Sequence, residues 1–241
     1  MTRSDDRTDD QLRPVHLERG YAANAEGSVL IQVGRTKVLC TVCAAGKVPA
    51  FQKARGEGWL TAEYAMLPGS VEGRKARETG QRDGRSVEIQ RLIGRSLRAI
   101  TDLAAFPDFT LHVDCDVIQA DGGTRCAAIT GAVVALHDAL RTLAGRDQLR
   151  HWPLREWLAA VSVGVVDGRA LLDLDYGEDF AAEVDMNVVA TAGGRIVEVQ
   201  GTAEGPPFER AVLDRLVDLG LAGIARLTEI QRQAVAEGLP V

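Results

Sequence analysis

The sequence predicts an α/β (α+β) fold built from two halves, each with β-hairpins followed by a helix. Three observations support this class: apolar residues alternate in short runs, recur three and four positions apart in longer runs, and follow the same order in both halves. A chain of 241 residues can bury a substantial core. We expect mixed sheets with helices packed between them, a single domain over residues 13–237, a flexible segment over residues 1–12 and a tail over residues 238–241.

The first half is predicted to contain a hairpin, a further strand, a loop and a helix. Residues 29–33 and 37–45 form the hairpin and Trp59–Met66 the further strand, because these runs are rich in residues that favour strands. Residues 68–84 are charged and contain glycines, which indicates a long exposed loop, and such loops are often functional. From Arg85, apolar residues line one face of a helix and arginines occupy the remainder.

The remaining elements follow from the same periodicities. Strands are predicted at residues 111–118, 158–166, 170–176, 184–191 and 195–200, and helices at residues 127–143 and from 207 to about 238. Asp167 and Gly168 lie between two of these strands and are a strong hairpin signal. Gly220 and Gly223 are expected to break the last helix.

Composition argues against several classes of protein. The charged N-terminal residues lack the apolar run of a signal peptide, and no apolar run approaches the roughly 20 residues that span a bilayer, so no membrane partner is expected. Four cysteines in a chain of this length do not make a disulfide framework, and a cytoplasmic location is expected. Cys40 and Cys43 form a C-x-x-C pair. Because Cys115 and Cys126 do not supply a second pair at comparable spacing, buried thiols are expected rather than a zinc site.

A glycine pair between a predicted strand and a predicted helix indicates an anion site. Gly122 and Gly123 lie where the unpaired N–H groups and the positive dipole end of that helix begin. The Arg125 guanidinium adds charge, and Thr124 adds a hydroxyl donor or an N-cap. Together these groups suit a phosphate-sized anion. The alternative is a tight turn with a capping threonine and a solvated arginine.

A local excess of basic residues contrasts with the net charge of −6. From Arg74 to Arg98 the chain has eight basic residues against three acidic ones. On an acidic protein, such a zone suits a confined polyanion site better than a broad nucleic-acid face. A solvated helix face with i,i+4 ion pairs is the alternative.

Carboxylates interleaved with apolar residues form the second chemical feature. In strand phase, Glu183, Asp185 and Asn187 share one face, and Asp179 precedes that strand by one loop. Oxygen ligands of this kind suit Mg²⁺, which takes one or two carboxylates together with a substrate phosphate. One carboxylate acting as a general acid is a second interpretation. Solvent-facing carboxylates at the edge of a hairpin are the third.

An anion turn, a basic helix start and a carboxylate pair indicate phosphate chemistry. The chain has no G-x-x-x-x-G-K-[ST] motif, which argues against ordinary nucleotide hydrolysis. Eight stretches match a known family in order: 13–15 (RPV), 25–30 (AEGSVL), 36–40 (TKVLC), 58–68 (GWLTAEYAMLP), 84–94 (GRSVEIQRLIG), 114–125 (DCDVIQADGGTR), 185–189 (DMNVV) and 198–205 (EVQGTAEG). On these motifs, which cover nearly the whole chain from about Leu12, the sequence resembles the ribonuclease PH family.

The resemblance implies a ribonuclease PH-like catalytic domain over residues 13–237 and selects its site residues. These are Arg85, Gly123, Thr124 and Arg125 for phosphate, Asp179 and Asp185 for catalysis and for Mg²⁺, and Arg74 and Arg77 for RNA. Whether each aspartate is a metal ligand or a general acid stays open. Phe180 stands where the family more often has a small residue.

The implied activity is phosphorolysis: inorganic phosphate removes 3′-terminal nucleotides from tRNA precursors and other RNAs with single-stranded 3′ ends, and nucleoside diphosphates are released in a reversible transfer. The resemblance also implies Mg²⁺ as cofactor and a homohexamer, a trimer of dimers. Two alternatives are a non-catalytic RNA-binding ring subunit of the same fold and a small-molecule phosphotransferase on a related scaffold.

Overall fold

The computed structural model describes Arg3, residues 6–79 and residues 83–238. The strands are β1 (Val15–Arg19), β2 (Gly27–Val33), β3 (Thr36–Ala45), β4 (Trp59–Met66), β5 (Thr110–Gln119), β6 (Leu158–Val166), β7 (Arg169–Leu172), β8 (Val184–Thr191) and β9 (Ile196–Ala203). The helices are α1 (Ala50–Lys53), α2 (Gly84–Ala99), α3 (Thr124–Gly145), α4 (Tyr176–Ala181) and α5 (Arg210–Ala236).

The strands form two sheets, one in each half of the chain. The first sheet has the order β1-β2-β3-β5-β4, in which β4 runs parallel to β5 and the other neighbours are antiparallel. The second sheet has the order β7-β6-β8-β9 and is antiparallel throughout. The mixed first sheet, the helices and the repeated order of hairpins and helix confirm the predicted fold class.

Helix α3 is the core element that the two halves share. It contacts β2 and β3 of the first sheet and β6 of the second. Because both sheets cover it, α3 is buried on all faces from Cys126 to Leu140. By length and composition alone it is the one helix in the described part of the chain that could cross a membrane, and 83% of its apolar window is buried inside the fold. Its first turn lies where the halves meet, since a Cβ added to Gly123 would lie 3.7 Å from Ser162 Oγ on β6.

The expected break in the last helix is absent from the described structure, where α5 continues from Arg210 to Ala236. Its two glycines instead allow close packing on the second sheet. A Cβ at Gly220 would lie 2.9 Å from Val188 Cγ2, and one at Gly223 would lie 2.7 Å from Leu172 Cδ1. The glycines therefore bring the helix close to the sheet, at a loss of helix propensity of about 1 kcal/mol each relative to alanine.

The strand predicted at 170–176 ends early, and a short helix follows it. β7 stops at Leu172, and Asp173 adopts a left-handed φ of 55°. Helix α4 then begins with a capping box: the Asp175 side chain accepts from the Glu178 N–H at 2.9 Å, and Glu178 Oε2 accepts from the Asp175 N–H at 3.0 Å. This Asp-x-x-Glu spacing is a helix-start signal that the sequence analysis overlooked.

The segment expected to be flexible is anchored where the structure describes it. Arg3 donates from Nε to Glu178 Oε1 at 2.7 Å and from Nη2 to Glu178 Oε2 at 2.8 Å. Arg7 is also buried and donates to the Asp173 carbonyl oxygen at 2.9 Å. These partners lie 175 and 166 residues away in sequence, so local patterns could not indicate them. Arg3 and Arg7 thus bind the residues of α4 and of the turn that precedes it.

Smaller differences lie at the edges of the fold. The short elements β1 and α1 were not predicted, and α3 begins at Thr124 rather than at the predicted residue 127. At the start of the predicted tail, the Gly238 carbonyl oxygen accepts from Arg19 Nη1 at 2.7 Å. Residues 239–241 lie outside the described residues.

Arg3→Ala should destabilise the protein by about 2–3 kcal/mol, because it removes one partner of a buried, bidentate ion pair while Arg7 still faces Glu178. Urea denaturation measures the change in the free energy of unfolding. Arg210→Ala is the matched control, since its ion pair with Asp214 is exposed and worth about 0–1 kcal/mol. Equal effects of the two substitutions would contradict the anchoring role of Arg3.

Candidate active site

A cavity of about 690 Å³ lies between the two halves and collects most of the predicted site residues. Its lining residues come from α2, the β5–α3 connection, α4 and β8, among other elements. The predicted members are Arg85, Gly123, Thr124, Arg125, Asp179 and Asp185. A second cavity of about 630 Å³, beside His137, contains none of the predicted site residues.

The glycine turn (Gly122 and Gly123) has the backbone shape that an anion site at a helix start requires. Both residues have left-handed φ values, 75° and 63°. Gly123 is the N-cap of α3, and no described side chain caps the helix, so its first N–H groups are left for a ligand in the cavity. Thr124 is the first helical residue rather than the N-cap. Its Oγ1 accepts a hydrogen bond from the Tyr64 hydroxyl at 2.9 Å, and burial raises the pKa of Tyr64, which keeps that donor protonated.

The glycine turn is fixed in place by contacts with both halves. Thr36 Oγ1 donates to the Gly122 carbonyl oxygen at 2.8 Å. Arg13 Nη2 donates to Asp173 Oδ1 at 2.7 Å, and Arg13 Nη1 donates to the carbonyl oxygen of Asp121. These bonds connect the turn to β3 on one side and to the residues that precede α4 on the other. Neither Arg13 nor Thr36 was among the predicted site residues.

Arg125 is oriented by two residues that the sequence analysis did not select. Its Nη1 donates to Glu88 Oε1 on α2 at 3.3 Å and to Gln200 Oε1 on β9. Gln200 Nε2 also donates to Glu88 Oε1 at 3.3 Å, which closes the triangle. Glu88 therefore pairs with Arg125, 37 residues away in sequence. The result is a guanidinium held at the cavity wall.

The acidic pair (Asp179 and Asp185) faces the same cavity from the second half. Burial raises the pKa of Asp179, and the positive charges of Arg85 and Arg125 oppose that shift. Burial, followed by the charge of Asp179, raises the pKa of Asp185 to about 6. Asp185 Oδ1 is buried without a hydrogen-bond partner among the described residues. A carboxylate oxygen in this state favours a proton or a cation.

The predicted strand phase is correct for most of the acidic face. Asp185 and Asn187 line the cavity, whereas Met186 and Val188 pack in the core of the second half. Glu183 differs: it precedes β8, is exposed, and accepts from the Gly168 N–H at 3.0 Å. Glu183 therefore does not face the cavity with Asp185 and Asn187.

The acidic pair fits a divalent cation that needs few protein ligands. The unpartnered Asp185 Oδ1 and the neighbouring Asp179 supply carboxylate oxygens, the ligands that Mg²⁺ prefers. Within the described residues, no group of three or more His, Cys, Asp or Glu side chains could hold a metal ion by itself. Two carboxylates suit an ion that completes its shell with waters and a substrate phosphate.

The predicted RNA-binding residues lie outside the cavity. Arg74 and Arg77 are exposed in the loop before α2, and neither lines the cavity as described. Later members of the basic zone have structural contacts: Arg95 pairs with Glu198, and the Arg98 guanidinium lies 4.7 Å from the centre of the Trp59 ring. Arg82 and the rest of residues 80–82 lie outside the described residues.

Fold and cavity together define a class: an α/β protein in which an arginine-lined turn faces a buried acidic pair. Models of the 3′ exoribonuclease family match the chain, domain 1 over residues 11–141 and domain 2 over residues 157–223. The chain belongs to this 3′ exoribonuclease family, which confirms the resemblance to ribonuclease PH.

Solved structures agree on the fold. Rrp46 of rice (Oryza sativa) aligns with a TM-score of 0.78 and 22% identity over 97% of this chain and 100% of that one. The Archaeoglobus fulgidus exosome with RNA bound to the active site aligns with a TM-score of 0.81 and 22% identity over 94% and 91% of the two chains. An archaeal exosome core aligns with a TM-score of 0.76 and 21% identity over 95% and 90%.

Relative to the wild type, Asp185→Asn should stabilise the metal-free protein against unfolding more at pH 8 than at pH 4.5. The folded-state pKa of about 6 exceeds the ordinary value of 3.8, so the folded state binds the proton more tightly and the wild type loses stability as pH rises through that window. After discounting for solvent screening, we expect about 1 kcal/mol, or about 3 °C in Tm. Thermal unfolding at both pH values measures it.

Asp218→Asn, at an exposed position of α5, is the control for that experiment. It should change the Tm equally at the two pH values. A pH-independent effect of Asp185→Asn would contradict the conclusion that Asp185 is a buried carboxylate in need of a partner.

Proposed function

We propose that this protein is a phosphorolytic 3′–5′ exoribonuclease. It uses inorganic phosphate to remove 3′-terminal nucleotides from tRNA precursors and other RNAs with single-stranded 3′ ends, and it releases nucleoside diphosphates. The observation that carries the proposal is the meeting of Arg125 and Asp185 in one cavity, from opposite halves of the chain. Membership of the 3′ exoribonuclease family supports it.

Phosphate binding is assigned to the glycine turn and its neighbours. An attacking phosphate and a phosphodiester are both anions, so the nucleophile must be neutralised before the two can approach. Arg85 and Arg125 supply positive charge, and the first N–H groups of α3 with the Thr124 hydroxyl supply oriented donors. Glu88 and Gln200 hold the Arg125 side chain in one orientation, which reduces the reorganisation needed on binding.

The acidic pair is assigned to the leaving group. As an oxygen of phosphate bonds to the terminal phosphorus, the bond to the 3′ oxygen of the next ribose breaks, and that oxygen takes up a proton. Asp185, with a pKa of about 6, is able to carry a proton at its carboxyl group near neutral pH. Alternatively, Asp179 and Asp185 hold Mg²⁺, which supplies charge screening of the diester and of the leaving oxygen. One P–O bond replaces another of similar energy, so the transfer is reversible.

RNA handling and assembly complete the proposal. Arg74 and Arg77, exposed in the loop before α2, contact the RNA backbone. The protein works in the cytoplasm as a homohexamer, a trimer of dimers. Similarity to exosome structures supports a ring assembly.

A non-catalytic RNA-binding ring subunit is the second candidate, because the fold is also similar to rice Rrp46. A subunit without catalysis has no need of a buried, unpartnered carboxylate opposite an oriented arginine. Such a carboxylate costs stability, and the chain has it in Asp185. This observation favours the enzyme.

The proposed function is tested by incubating the full chain with a short RNA that has a single-stranded 3′ tail, in Mg²⁺, with and without phosphate. Nucleoside diphosphates that appear only with phosphate support phosphorolysis. Monophosphates in either condition would show hydrolysis instead, and RNA binding without any product would show the binding subunit. Chromatography of the released nucleotides separates the three outcomes.

Arg125→Ala should lower kcat for phosphorolysis by about 10²–10³-fold, as loss of one preorganised anion donor does in other enzymes. Arg95→Ala is the control, since Arg95 is an arginine of α2 that pairs with Glu198 outside the cavity. Rates at saturating RNA and phosphate measure the effect. Near-normal turnover of Arg125→Ala would remove Arg125 from the mechanism.

Arg74→Ala combined with Arg77→Ala should weaken RNA binding and flatten its salt dependence. Two lost phosphate contacts to a single strand should reduce the slope of log Kobs against log salt by about 1.4. Fluorescence anisotropy across a salt series measures it. The charge-matched control is Arg210→Ala with Arg232→Ala, two exposed arginines of α5. An unchanged slope in the loop variant would exclude the loop from the RNA path.

A further inference from the structure

Two aromatic side chains project from α4 into solvent beside the candidate active site. Tyr176 is 63% exposed and Phe180 is 83% exposed. They are four residues apart, so they share one face of the helix. Their ring centroids are 6.4 Å apart and their planes meet at 30°. Exposing two large rings together is unfavourable unless a ligand covers them.

The aromatic pair (Tyr176 and Phe180) is continuous with the cavity. Tyr176 is one of its lining residues, and Asp179 lies between the two rings in sequence. The glycine turn is in direct contact with the start of α4, because a Cβ at Gly122 would lie 2.8 Å from the Tyr176 backbone nitrogen. The aromatic pair therefore lies directly beside the residues proposed to bind phosphate and Mg²⁺.

The charge around the aromatic pair selects the kind of group that it contacts. Helix α4 and its N-cap contribute Asp175, Glu178 and Asp179 and no basic side chain. The helix therefore offers no positive side chain that would hold a phosphate at its aromatic face, and Glu178 is already paired with Arg3, whereas an uncharged, flat nucleobase needs no such charge. Bases stack on aromatic side chains with little dependence on base identity. The helix is also held firmly, by its capping box and by the bidentate pair between Arg3 and Glu178.

We propose that Tyr176 and Phe180 form a stacking platform for the nucleobase at the 3′ end of the RNA. The inference rests on the proposed phosphorolysis, because it assigns the base that is joined to the scissile phosphodiester. Stacking positions the terminal nucleotide with its phosphate over the acidic pair. It also explains how one site accepts each of the four bases: the contact uses the face of the base, which all four share, rather than its hydrogen-bonding edge.

The test compares two RNAs that differ only at the 3′-terminal residue, which carries a base in one and is abasic in the other. Phe180→Ala should raise KM for the RNA with the base by about 5- to 150-fold, the range expected for loss of one stacked base, with kcat changed less than about twofold. The penalty that the wild type shows for the abasic end should shrink by a similar factor in Phe180→Ala, where only the Tyr176 ring remains. Phe180→Trp should restore both the KM and the penalty, and KM for phosphate should stay unchanged.

Phe51→Ala is the control, because Phe51 is exposed at 57% and packs on Trp59 outside the cavity. It should leave the KM and the abasic penalty as in the wild type. A wild-type KM in Phe180→Ala, or an abasic penalty as large in it as in the wild type, would overturn the platform. So would a change in the mass of the assembly by light scattering with the abasic penalty retained, because Phe180 would then be a contact between copies of the chain.

Failure of the proposed function gives a different result. If the wild type releases no nucleotide, the same two RNAs are compared for binding without phosphate. An abasic penalty in affinity that Phe180→Ala reduces would support the platform on a protein that does not catalyse phosphorolysis. Equal affinities of the wild type for the two RNAs would overturn it.

Discussion

The close contact between Gly122 and the start of α4 determines how the two halves of the site face each other. A Cβ at Gly122 would lie 2.6 Å from the Leu174 carbonyl oxygen, so only a residue without a side chain lets the backbones approach this closely. Arg13 supports the same junction, since it bonds the Asp173 carboxylate and a carbonyl oxygen of the turn. The distance between the glycine turn and α4 is therefore set by backbone packing and by the buried Arg13 guanidinium, not by flexible surface side chains.

Local patterns were enough to predict the fold class, the glycine turn before α3 and the phase of Asp185, because each depends on residues close together in sequence. Prediction failed where the reason lies across the fold. Gly220 and Gly223 looked like helix breakers, yet they serve packing against the second sheet. The charged N-terminal segment looked flexible because the carboxylate that binds Arg3 is 175 residues away.

The same limit applies to the candidate site. Its family motifs selected six residues that line one cavity, but not the residues that hold them. Glu88 and Gln200 orient Arg125 from two other elements, and neither has a spacing that would reveal the triangle. Glu183 shared the strand pattern of Asp185 but lies before the strand and is exposed. Periodicity identifies a face of a strand but not where the strand begins.

Opposite charges in one cavity would collapse into ion pairs unless the scaffold prevented it. Arg125 is already bonded to Glu88 and Gln200, and the described residues include no ion pair between the arginines of the cavity and the acidic pair. The arginines lower the pKa values of Asp179 and Asp185, yet burial outweighs them and both pKa values are raised. The acidic pair is therefore left without an arginine partner among the described residues. A space with an arginine-lined wall and an acidic wall can accept an anion on one side and a cation or proton on the other, which is the arrangement that the proposed attack of phosphate on a phosphodiester requires.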